Sequence, residues 1–139
     1  MLAGLVALAL LVQPAPGAGS VPDYGEPYRI LVQANLALDP DLAASAYGRD
    51  AKLIFEYPGI PVETFSGHQA IRASYVRTFG QVDKESKIAL QFRFDGEGLT
   101  TDQQTGVYRI GAVAGGKTIT LYGRFAVKLV MDGSGWRFA

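Results

Sequence analysis

From Lys87 onward, apolar and polar residues alternate along the chain. In "KIALQFRF" Ile88, Leu90, Phe92 and Phe94 fall on one side, and Lys87, Gln91 and Arg93 on the other. That period of two is the pattern of a half-buried strand. "QTGVYRIGAV" and "TITLYGRFAVKLVM" flank Gly115-Gly116, a two-residue hairpin signal, because such a turn needs residues that tolerate positive φ. The turn predicts that Arg109 pairs with Tyr122 and Val107 with Arg124. "DGSG" then leads into "WRFA" and sets Trp136 against Met131. In this register Tyr108, Ile110, Ile119, Leu121, Phe125, Val127, Leu129, Trp136 and Phe138 share one face. Arg93, Arg109, Tyr122, Arg124, Lys128 and Arg137 share the other, and a one-residue slip would mix the two sets.

The first half of the chain has helical spacing instead. "EPYRILVQANLAL" starts with Pro27 in a first turn and repeats Tyr28, Leu31, Asn35 and Leu38, which predicts a helix. "DPDLAASAY" predicts a short second helix with Asp39 as its N-cap and Pro40 first inside it. "AKLIFEY" reads as a strand stopped by Pro58-Gly59, and "VETF" as a brief second strand. "SGHQAIRASYVRTFG" enters a third helix through Ser66-Gly67 and ends it at Gly80. Helices first and then a meander apolar on one side specify an α+β fold, with helices covering one face of a curved antiparallel sheet.

The opening stretch "MLAGLVALALLVQPAPGAGS" does not fit this pattern. Met1 to Val12 is an unbroken apolar run followed by small residues, with no charge before Asp23. It matches a secretory signal peptide and is short of a membrane span. Residues 1–20 are therefore expected to be a leader and 21–139 the domain, in a secreted or periplasmic protein without a stable membrane anchor. No Lys or Arg precedes the run, which fits a start site inside a longer gene product.

Composition narrows the function classes. The chain has 139 residues, 48% apolar and 19% charged, which suits one domain with a sizeable core. Thirteen Lys+Arg balance thirteen Asp+Glu, so no nucleic acid partner is expected. With no cysteine, disulfides and thiolate metal sites are excluded.

Candidate chemistry is sparse. Glu56 and Glu63 are the acids within strands; the others sit at caps, turns, strand ends or in the lead. The alternation in "DAKLIFEYP" puts Leu53, Phe55 and Tyr57 on the interior face and turns Glu56 outward with Lys52 and Ile54. His68, the one histidine of the chain, falls on the helical stripe of Ile71, Tyr75 and Phe79. It could serve there as a general base at a cavity mouth, or be an ordinary exposed first-turn residue. One histidine without clustered acids offers too few ligands for a metal, and no cofactor is expected.

The run "ANLALDPDLAASAYGRDAKLIFEYPG" followed by "FSGHQAIRASY", together with "YGRFAVKLVMDGSGWRFA", resembles the SnoaL-like and ketosteroid isomerase-like members of the nuclear transport factor 2-like superfamily. The shared features are an acid opening helix two, "Y-x-x-D-A" entering strand one, "G-x-x-A-I" opening helix three and a Trp-containing last strand. The resemblance implies a cone with a pocket between the helices and the concave sheet face. Related chains usually run a few residues past the position of Ala139, which fits a shortened C-terminus. Enzymes of the superfamily mostly use an interior acid as base, which in ketosteroid isomerase-like members lies on strand one shortly before a proline. A pocket here would be lined by Tyr28, Phe55, Tyr57, Tyr75, Phe79, Tyr108, Phe125 and Trp136, unless these aromatics simply fill the core. It would suit a small apolar or aromatic ligand. Relatives commonly pair through the sheet, so Arg93, Arg109, Tyr122 and Arg124 mark a homodimer or anion-binding face, or else a solvated one. In a homodimer, outward-facing Glu56 or Glu63 of a second copy would compensate these arginines.

The expectation is therefore an exported domain that binds a small molecule or acts as an accessory module, rather than an enzyme. Its rivals are a cofactor-independent isomerase, cyclase or hydrolase using a pocket Tyr with His68 or Glu56, and a dimerisation module with a filled cone.

Overall fold

The computed structural model describes residues 22–133 and 135–139; the leader expectation for 1–20 lies outside the described residues. Helix α1 spans Glu26–Ala37 with Pro27 in its first turn. Helix α2 spans Pro40–Ser45, and the Asp39 carboxylate accepts from the Asp41 and Leu42 amides, as an N-cap must to satisfy donors that lack intrahelical partners. Strands β1 (Lys52–Tyr57) and β2 (Ile60–Ser66) form a hairpin. Strand β2 is longer than "VETF" suggests; it takes in Pro61 because an edge strand tolerates a missing donor. Helix α3 spans Gly67–Phe79.

The main sheet has the order β3 (Ala89–Phe94), β4 (Gln103–Ala114), β5 (Lys117–Asp132) and β6 (Gly135–Phe138). Arg109 lies opposite Tyr122, Val107 opposite Arg124 and Met131 opposite Trp136, the register that the alternation specifies. Gly115 and Gly116 turn the chain with φ of 58° and 76°. The Asp83 carboxylate takes both amides of this turn, at 2.8 Å from Gly115 N and 3.0 Å from Gly116 N. A parallel bridge between Tyr47 and Phe138 links the chain entering β1 to β6.

The core gathers on one residue. Tyr28 of α1 is 4% exposed, and its ring packs against Phe92, Phe94, Phe125 and Phe138 with centroids 4.8–5.9 Å away. Its hydroxyl donates to Gln104 Oε1 at 2.9 Å. The Gln104 amide donates in turn to the Thr101 carbonyl, so this buried polar pair is satisfied. Leu31, Ile71, Phe79, Ile88, Leu90 and Leu129 complete the core. On the same sheet face the Phe125 ring covers Gly106 and the Tyr108 ring covers Gly123, each lying where a Cβ would stand; these are cross-strand pairs in opposite senses.

Two stability outcomes follow. Tyr28→Phe should cost about 1–2 kcal/mol in urea unfolding, because Gln104 Oε1 is left buried without its donor. Gly106→Ala should cost more than a typical surface change. Its Cβ would meet the Arg93 carbonyl as well as the Phe125 ring, and backbone cannot step aside as a side chain can.

Candidate functional site

The helices cover the inner sheet face unevenly. Helix α1 packs on β3 and β6, and the residues beneath it are buried. Farther along β5, toward the hairpin turn, Ile119 is 37% and Leu121 55% exposed, although both share the inner face with Phe125. The β1–β2 hairpin flanks this uncovered region. Its Tyr57 is 48% exposed and stacks beside Phe55 with centroids 6.1 Å apart. Leu53, Phe55, Phe65, Tyr75, Tyr108 and Ile110 are half-buried. The result is an open apolar cup.

Phenols stand among these side chains and in the core beneath them, and the Glu63–Arg77 pair borders Phe55 and Phe65. Tyr47 and Tyr75 face each other from the loop before β1 and from α3, their hydroxyls 2.6 Å apart. Burial pushes the Tyr47 phenol up to about 12, while its hydrogen bond to Tyr75 pulls the other way. Burial also holds Tyr75 well above its ordinary value, with the Tyr47 phenol adding to the effect. Tyr108 is raised by burial first and by the adjacent Tyr57 second. These three phenols remain protonated across the physiological range; Tyr47 and Tyr75 use one of their two protons on each other, whereas Tyr108 can donate a hydrogen bond to a neutral acceptor.

The expected pocket aromatics divide between core and cup. Tyr28 and Phe79 are buried core, and Phe125 packs edge-on to Phe92 and Phe94. Trp136 lies on the inner face, half-buried and edge-on to Tyr24 at 4.9 Å. Phe55, Tyr57, Tyr75 and Tyr108 line the cup. Parity along a strand sets which face a residue takes, but the helix above sets how deeply it is buried.

Neither candidate base reaches the cup. His68 is exposed, and its Nε2 lies 2.6 Å from the Tyr47 carbonyl. A carbonyl only accepts, so Nε2 carries the hydrogen and donates. The ring lines a hollow of about 220 Å³ with Asp41, Ala44, Ser45, Gln69 and Arg72, on the outside of α2 and α3. Glu56 is exposed at the point where the β1–β2 register shifts. Glu63 stands directly opposite Phe55, on the inward side rather than the outward one that would offer it to a partner. There Arg77 of α3 holds it at 3.2 Å and lies over the Phe65 ring. A larger hollow of about 300 Å³ lies apart from the cup, beside residues 48–51 and Val130. Among the described residues, no group of three His, Asp or Glu could hold a metal ion.

The outer sheet face differs from expectation in one respect. Asp95 continues the outward parity of β3 past its last residue and reaches Arg124 at 2.5 Å, so the basic face is not free of acids. Arg137 also leaves the set, pairing with Glu26 at 3.2 Å. Arg109 lies against Tyr122, its Nε 3.4 Å from the phenol oxygen.

No protein-family profile matches the chain, and no curated protein matches it in sequence. Solved structures do match. One, described as an aromatic ring hydroxylase from Novosphingobium aromaticivorans, is 20% identical with a TM-score of 0.60, over 81% of this chain and 79% of that one. Aln2 from a Streptomyces species is 16% identical with a TM-score of 0.63, over 90% and 88%. A protein described as a calcium/calmodulin dependent protein kinase II association domain from Xanthomonas campestris is 15% identical with a TM-score of 0.59, over 90% and 86%.

The buried phenols make alkaline stability a direct test of this geometry. An unfolded tyrosine ionises near ~10, whereas folded Tyr47 does so only at about 12. Between those values the unfolded state has released protons that the folded state keeps, so rising pH favours unfolding. Stability should be flat below pH ~10 and fall from there to about 12. Tyr47→Phe should shrink that fall, as read by denaturant midpoints across the range. Helices laid over one face of a curved antiparallel sheet, shared with these solved structures, give the chain the nuclear transport factor 2-like fold, with which the SnoaL-like motifs agree.

Proposed function

We propose that this domain binds a small, uncharged apolar or aromatic molecule in the open cup, rather than catalysing acid–base chemistry there. The observation that carries the reading is the contrast within the cup. Apolar side chains stand partly uncovered, phenols that burial keeps protonated stand among them, the inward acid Glu63 is neutralised by Arg77, and His68 and Glu56 lie elsewhere. A ring system would replace water against Phe55, Tyr57, Ile110 and Leu121. An ether, carbonyl or hydroxyl oxygen on it could accept from Tyr108. An anionic ligand would lose its hydration, and Arg77, the cation over the Phe65 ring, is already taken by Glu63. The fold neighbour described as an aromatic ring hydroxylase is compatible with an aromatic ligand. The export expectation belongs to the same proposal and places the ligand outside the cytoplasm.

Nile red, an uncharged fluorescent probe, tests the cup directly. Wild type should bind it, and Leu121→Asp should weaken binding about tenfold or more, since a carboxylate would enter an apolar contact. Glu56→Gln and His68→Ala should leave binding within about twofold, as expected of surface changes away from the site. Equal binding by wild type and Leu121→Asp would end this reading. Mass spectrometry of protein purified from its own host would then identify the natural ligand.

A further inference from the structure

We infer that the outer face of the main sheet is a docking surface for a membrane bearing acidic phospholipid headgroups. Arg93 of β3 and Arg124 of β5 flank Val107 in one cross-strand row. The next row runs Gln91, Arg109, Tyr122, so the arginines stand on adjacent strands about 4.8 Å apart. Lys128 lies farther along β5 on the same face. Asp95 takes up Arg124. Arg93, Arg109 and Lys128 have no acid within ion-pair distance among the described residues. The chain as a whole has a formal net charge of zero, so this excess is a property of the face and not of the protein.

The shape of the face selects the partner. Between the cations the side chains are short, with Val107, Gly111, Thr120 and Ala126 on the same face. Neither of the two hollows described above lies over the arginines. Cations spaced by short side chains across a sheet face match a plane of negative charge. Guanidinium groups form paired hydrogen bonds with phosphate oxygens. Tyr122, 74% exposed at the middle of the face, has the ring and hydroxyl that suit headgroup depth. A second copy fits less well, because the acid that this same face would bring, Asp95, is already paired with Arg124 and cannot relieve the repulsion among the cations. Glu63, one acid that could have relieved that repulsion, is already held by Arg77.

Vesicle sedimentation of the full chain tests the inference. Phosphatidylcholine vesicles, with or without phosphatidylglycerol, are the probes. No charged side chain precedes Asp23, and the apolar opening segment is common to wild type and both variants, so a difference in selectivity between them reports the sheet face. Wild type should prefer the anionic vesicles about tenfold or more at low salt and lose that preference at high salt. Arg93→Glu with Arg109→Glu should reduce the preference to about twofold or less. The charge-matched Lys52→Glu with Lys84→Glu should retain it, which separates this face from net charge. All four side chains belong to exposed residues, and circular dichroism would confirm that both variants fold. Equal binding of wild type to both vesicles would overturn the inference. So would unchanged selectivity in the Arg93/Arg109 variant, or a wild-type dimer that this variant converts to monomer.

Discussion

One tyrosine contacts the whole main sheet. The Tyr28 ring meets β3 through Phe92 and Phe94, β5 through Phe125 and β6 through Phe138, and its hydroxyl reaches β4 through Gln104. A helix packed only by aliphatic side chains can slide or roll along a sheet at little cost, but a ring enclosed on four sides and hydrogen-bonded at its tip cannot. The position of α1 follows from that contact, and with it which part of the inner face is covered. Because α1 is anchored over β3 and β6, the stretch of β5 around Ile119 and Leu121 stays open. The cup is thus a consequence of where the core is tightest.

The register of β5 with its neighbours β4 and β6 is legible in the sequence, because alternation and the glycine turns constrain each other. Each hairpin has one alignment that keeps apolar residues together, and Arg109 opposite Tyr122 is that alignment. Depth is not legible. Tyr28 and Tyr108 both read as pocket aromatics, yet one is sealed between α1 and the sheet and the other half-open, since the difference lies in how a helix crosses the sheet. His68 is ambiguous for a related reason. The helical wheel gives its stripe, but the bond to the Tyr47 carbonyl joins residues 21 positions apart, which no local pattern reports. Glu63 is misread as outward because Pro58-Gly59 announces a turn without fixing its register. The shift between Phe55 and Tyr57 decides that Glu63 faces inward.

The two sides of the sheet have opposite electrostatic character. Inside, phenols keep their protons because burial penalises the phenolate. Outside, guanidinium groups remain charged because water surrounds them. Dissolved salt therefore acts on one side and scarcely on the other: ions screen the exposed arginines, while contacts between neutral groups under the helices are indifferent to them. A binding event can be assigned to one side from its ionic-strength dependence alone.

The contact between Asp83 and the Gly115-Gly116 turn has a practical consequence for engineering. An exposed two-residue turn is ordinarily where a chain accepts added residues. Here both turn amides are committed to a carboxylate from the segment that follows α3. An insertion at this point would separate those amides and release the sheet from the end of the helix layer. The exposed tip at Pro58 and Gly59, where a Cβ on Gly59 would meet nothing within 4 Å, carries no such tie. A tag or reporter loop belongs there, at some cost to the rim of the cup, and not at the turn that the sequence advertises most clearly.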